Sequence, residues 1–106
     1  MKSILVVTNE EKAYPLIAST YKSGFTVTKT ANRTAALELL QKRRCDLIFI
    51  DLDVLNNQDS AENYKASLKP FWQLYPSAEI IVMTRQDNIR KAVDAVKAGA
   101  DDYLTY

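Results

Sequence analysis

The stretch Asp46-Leu47-Ile48-Phe49-Ile50-Asp51-Leu52-Asp53-Val54 decides the fold of this chain. Leu47 to Ile50 form a continuous apolar run with two β-branched members. Such a run reads as a strand covered on both faces, as in the centre of a parallel sheet. Asp51 then falls at the carboxyl end of that strand, where open parallel α/β sheets form the crevice in which ligands and chemistry collect. Asp is also common at turns and helix caps, so a purely local role for Asp51 stays open beside the functional one.

Outward from this strand the chain alternates. Ile4-Leu5-Val6-Val7 is a second short apolar run, ending in the polar Thr8-Asn9-Glu10-Glu11. Tyr14, Ile17, Ala18 and Tyr21 have helical spacing, and Gly24 marks the stop; Pro15 is acceptable only in the first turn, where its missing N–H has no partner to lose. Phe25 to Lys29 alternates apolar and polar, as expected of a strand nearer an edge. Asn32 suits the N-cap of a helix whose apolar face is Ala35, Ala36, Leu39 and Leu40, with Lys42-Arg43-Arg44 at the dipole's negative end.

Beyond the central strand, Leu55 to Ser60 reads as a polar loop. A helix is expected from about Ala61 to Tyr75, with Tyr64, Leu68, Phe71, Trp72 and Tyr75 on its apolar side and Pro70 bending or breaking it. Ile80 to Met83 is another covered strand ending at Thr84. Asp87 or Asn88 is expected to cap a fourth helix with Ile89, Ala92, Val93 and Val96 buried and Gly99 as the stop, before a last strand from Asp102 to Tyr106. Short connections between alternating strands and helices define a right-handed, doubly wound α/β fold. Five strands with four helices leave one sheet face under-covered. A truncation before a final helix, or a second copy lying against that face, is therefore expected.

The chain's 106 residues suffice for one domain, and 47% hydrophobic with 25% charged residues is ordinary globular composition. A net charge of +1 argues against a dedicated nucleic-acid binder. Cys45 is the only cysteine and there is no histidine, which excludes an intramolecular disulfide, histidine triads and histidine metal sites. No apolar run approaches the roughly 18 residues of a membrane span, and a cytoplasmic location is expected. With only Gly24 and Gly99, no glycine-rich phosphate loop is present, which leaves a small-molecule or nucleotide domain without positive support.

Four blocks, ILVVTNE (Ile4–Glu10), DLIFIDLD (Asp46–Asp53), IIVMT (Ile80–Thr84) and AGADDYLT (Ala98–Thr105), occur in the order and spacing of another family. The chain resembles the receiver domains of bacterial two-component response regulators from the first strand to the fifth. The resemblance implies a flavodoxin-like five-stranded sheet in the order 2-1-3-4-5. It also implies phosphoryl transfer from a histidine kinase to Asp51, with Thr84 as the switch hydroxyl. Residues 1–106 would be one receiver domain, itself no enzyme, acting on an output domain or through a homodimer. Ile89 to Thr105 is similar to receivers attached to transcriptional activators of the alternative-sigma-factor type.

The chain departs from the family at the cations. Thr8 and Asn9 replace the acidic pair that holds Mg²⁺, and Tyr106 stands at the lysine. A hydroxyl and an amide bind a hard cation far more weakly than two carboxylates. Attack of a carboxylate on a phosphoryl group also brings negative charges together, which positioned cations normally relieve. Glu10 and Asp53 are the candidates to join Asp51 as substitute metal ligands, and Arg85 could meet a phosphate through its planar fork or obstruct the site. Thr8, Asn9, Asp53, Arg85 and Tyr106 are thus expected to line a degenerate site around Asp51. The alternative within the family is a phosphorylation-independent pseudo-receiver that signals by contact.

Overall fold

In a computed structural model, residues 2–21, 23–55 and 61–106 are described, residues 61–63 by backbone alone. The expected polar loop therefore lies, apart from Leu55, outside the described residues. Five parallel strands, β1 (Lys2–Val7), β2 (Phe25–Thr30), β3 (Leu47–Asp51), β4 (Glu79–Thr84) and β5 (Asp102–Thr105), form one sheet in the order β2-β1-β3-β4-β5. Four helices alternate with them: α1 (Ala13–Thr20), α2 (Arg33–Lys42), α3 (Ala61–Leu74) and α4 (Ile89–Lys97). β3 is central, with Val7 opposite Ile50 on one side and Met83 opposite Asp51 on the other.

The strands sort their side chains by alternation. Leu5, Val7, Ile48, Ile50, Ile80 and Val82 point to one face, where they pack with Ala36 and Leu40 of α2, Tyr64, Leu68 and Phe71 of α3, and Ala92 and Ala95 of α4. Ile4, Val6, Phe49 and Met83 point to the other, against Ala13 and Ile17 of α1. On that second face Leu47, Ile81, Leu104 and Tyr106 are only half-buried. This is the face for which the count of strands and helices predicts a further cover.

Local chemistry explains most helix ends. The Asn32 side chain accepts the Ala35 N–H at 2.8 Å, so α2 begins at the expected cap. Its last carbonyls are met by the Tyr75 hydroxyl, which donates to Leu40 O at 2.5 Å. Pro15 falls in the first turn of α1, as required. Pro70 neither breaks nor ends α3, which continues four residues beyond it to Leu74, anchored by Phe71 in the core. Gly99 has a φ of +129°, and a Cβ there would stand 2.6 Å from two ring carbons of Trp72. Glycine is needed for both reasons.

The fourth helix corrects one expectation. Ile89 and Val93 are 47% and 37% exposed, while Ala92 and Ala95 are fully buried. The buried stripe is rotated toward the small residues, which let α4 lie close to the sheet. Asn88 precedes α4 but makes no side-chain cap hydrogen bond, and neither does Arg85 before the short 3-10 turn Gln86–Asn88.

Candidate functional site

The site forms where β1, β3, β4 and β5 end together. Alternation puts Thr8, Asp51 and Tyr106 on the α1 side of the sheet, continuing the rows of Val6, Phe49 and Leu104. Thr84 follows Val82 and falls on the opposite side, one position past the Asp51–Met83 pair. Asp51 is 2% exposed, Thr8 fully buried and Thr84 3% exposed.

Both Asp51 oxygens are occupied. Oδ2 accepts the Thr8 hydroxyl at 3.0 Å and also the Tyr106 hydroxyl in a short hydrogen bond. Oδ1 accepts the Asp53 N–H at 3.2 Å, which makes Asp51 the cap of the 3-10 turn Leu52–Val54. The local capping role and the crevice position therefore coexist in one residue. Thr8 has a second bond, its hydroxyl oxygen accepting the Glu10 N–H at 2.9 Å.

Tyr106 is held by its backbone as well. Its N–H donates to Thr84 O at 3.0 Å and its carbonyl accepts the Gln86 N–H at 3.2 Å, so the strand pairing continues one residue past β5. Burial raises its phenol well above the ordinary tyrosine range, followed by the hydrogen bond to Asp51 and the negative charges of Asp51, Glu10 and Asp53. The phenol therefore stays protonated, and a donor, at neutral pH.

Above Tyr106 opens a cavity of about 550 Å³ lined by Glu10, Lys12, Arg85, Gln86, Asp87 and Tyr106. Glu10 and Arg85 bridge it with an ion pair of 3.1 Å. The hydrogen bond and charge of Glu10 push Arg85 still higher than its usual range. Asp51 does not line this cavity; Tyr106 does, and its hydroxyl reaches Asp51.

Of the residues expected at the site, Thr8 and Tyr106 meet Asp51 directly through side chains, and Asp53 does so only through its backbone N–H. Asn9 and the Asp53 side chain face solvent, and Arg85 reaches Glu10 rather than Asp51. Lys12, Gln86 and Asp87 also line the mouth, and no spacing in the sequence signals them.

The oxygens that would hold Mg²⁺ are partly engaged. A hard cation needs free carboxylate or carbonyl oxygens in near-octahedral array. Here Asp51 Oδ2 is taken by two hydroxyl donors, Thr8 spends its hydrogen on Asp51, and Glu10 is paired with Arg85. Among the described residues, no group of three or more His, Cys, Asp or Glu side chains is arranged to hold a metal ion.

A parallel 2-1-3-4-5 sheet with a buried aspartate at the end of its central strand defines a flavodoxin-like receiver fold. Residues 4–105 match the family of response regulator receiver domains, and the chain belongs to that family. It is 31% identical over 102 residues to an NtrX-like response regulator of Rickettsia felis, covering 95% of this chain and 21% of that one. It is 30% identical over 108 residues to the sensory transduction protein RegX3 of Mycobacterium tuberculosis, covering 99% and 44%. The chain thus spans less than half the length of these curated relatives. Among solved structures, a response regulator of Burkholderia pseudomallei that holds a phosphorylated aspartic acid, a calcium ion and citrate superposes with a TM-score of 0.76 at 31% identity. The match covers 99% of this chain and 59% of that one. The receiver domain of the response regulator TorR shares the fold with a TM-score of 0.75 at 24% identity, over 99% and 83%. Among the described residues, no helix is long and apolar enough to cross a membrane.

Proposed function

We propose that this receiver domain is a signalling module working through protein contacts, with Asp51 at the phosphoacceptor position but held in a hydrogen-bonded, unphosphorylated state. The observation that carries this reading is the occupancy of the Asp51 carboxylate: two neutral hydroxyls and one backbone N–H, with no ion pair to Asp51 among the described residues. Phosphoryl transfer to a carboxylate depends on cations that neutralise the converging charge, and hydroxyl donors leave that charge in place. The natural partner is then an output domain or a second subunit read by surface contact. The greater length of the curated relatives supports an output domain.

A second reading has its own support. Asp51 and Thr84 are both present and buried at adjacent strand ends, and the Burkholderia relative holds a phosphorylated aspartate. On that reading a histidine kinase phosphorylates Asp51 with Mg²⁺ recruited by Glu10 or Asp53. Titration with beryllofluoride at millimolar Mg²⁺, followed by amide chemical shifts, separates the two. The contact-only reading expects no saturable change at Asp51, Thr84 or Tyr106. Saturable binding that disappears in Asp51→Asn would establish the second.

A further inference from the structure

We infer that Tyr106, Thr8 and the Glu10–Arg85 pair form an intramolecular lock that keeps divalent cations off Oδ2 of Asp51 and off Glu10. This rests on the contact-only reading and gives it a cause: Asp51 and Glu10 are both engaged, Asp51 by two hydroxyls and Glu10 by Arg85.

Three observations converge. A carboxylate oxygen has room for about two donors, and Oδ2 of Asp51 accepts two, from Thr8 and Tyr106. A cation bound there would have to displace at least one of them. Tyr106 both lines the cavity and donates to Asp51, and its backbone is pinned by Thr84 and Gln86, so withdrawing that donor takes a rotation of its side chain. The third is charge. Glu10 is drawn across the mouth to Arg85, which already neutralises its carboxylate, and Lys12 balances Asp87 in the same lining. Tyr106 thus supplies a neutral donor, and Arg85 engages Glu10, one of the two candidate substitute ligands.

Mn²⁺ is the probe, read by paramagnetic broadening of backbone amides. The wild-type chain should show no saturable broadening at Thr8, Asp51 or Asp53 at millimolar metal. Tyr106→Phe keeps the ring and removes the donor, and Arg85→Ala, at a side chain 60% exposed, frees Glu10. The double variant should gain saturable broadening centred on Asp51. If it fails to fold, Tyr106→Leu with Arg85→Ala repeats the test. Saturable broadening in wild type, or a folded double variant that remains blank, overturns the lock. Treatment with acetyl phosphate, read by intact mass, keeps the two claims apart. A phosphoryl adduct on wild type without Mn²⁺ broadening removes the functional reading and leaves the lock. Broadening without an adduct does the reverse.

Discussion

Ile80 and Ile81 are consecutive, identical side chains on one strand, yet they live in different environments. Ile80 is fully buried beneath α2, α3 and α4, whereas Ile81 is half-buried on the face where, among the described residues, α1 is the one helix. The same contrast holds along β3, where Ile48 is fully buried and Leu47 is not. A groove of about 540 Å³ runs past Phe25, Leu47 and Ile81 at the strands' entry ends. Stability is therefore built mainly on the thick face. Asp51, Thr8 and Tyr106 are built on the thin one, so the candidate site shares its side of the sheet with the least covered packing.

The largest effect should come from the thick face. Ile80→Ala removes a fully buried side chain from a cluster that cannot relax into solvent and should cost about 2–5 kcal/mol. For a domain of this size each kcal/mol corresponds to roughly 4–8 °C in Tm, which thermal unfolding followed by circular dichroism would resolve. A loss no greater than that of a half-exposed residue would break the contrast.

Gly99→Ala tests the same face at its edge. The new Cβ would meet Trp72 at 2.6 Å while the backbone keeps a φ of +129°. A strained backbone of this kind costs about 1–3 kcal/mol. The Trp72 emission should shift together with the loss of stability, because the indole must move. Reduced stability with unchanged emission would place the cost in the backbone alone.

Ile81→Ala comes next, at about 1 kcal/mol or less, since part of its surface is already in water. Chemical denaturation of the Ile80 and Ile81 variants side by side is the sharpest form of the comparison. Equal losses would show that another element covers the thin face in solution, either further chain or a second copy.

The two faces also separate what was legible in the sequence. The strands are plain because buried parallel strands are runs of apolar residues, and LIFI and IIVM are short, rich in β-branched residues and bounded by polar ones. Which side of a helix is buried was less plain. Ile89 and Val93 carry the stronger apolar signal, but close packing of α4 on the sheet selected Ala92 and Ala95. Pro70 warned of a break that core anchoring by Phe71 overrode. At the site, Asp51 was visible as a carboxylate ending an apolar run, and Thr8, Arg85 and Tyr106 were expected around it. Their bonds were not visible. Tyr106 lies 55 residues from Asp51 and Arg85 lies 75 from Glu10, and no local spacing rule reaches across such distances.

The smallest expected effect concerns Tyr106, where the thin face and the site meet. Its phenol is raised above the value of 10.0 for a free tyrosine, first by burial and then by Asp51. Below that pH the phenol is protonated in folded and unfolded chains alike, and its hydrogen bond contributes fully. As pH rises past it, the unfolded chain releases a proton that the folded chain keeps, so the contribution is lost toward the folded value. Urea midpoints measured at about pH 8 and about pH 11 should fall further for wild type than for Tyr106→Phe, with the remaining tyrosines common to both. Parallel losses would mean that the Tyr106 hydroxyl is solvated on a loosely covered face. A steeper loss in wild type would mean that this corner of the thin face is as closed as the core, and that its closure comes from Asp51 rather than from a helix.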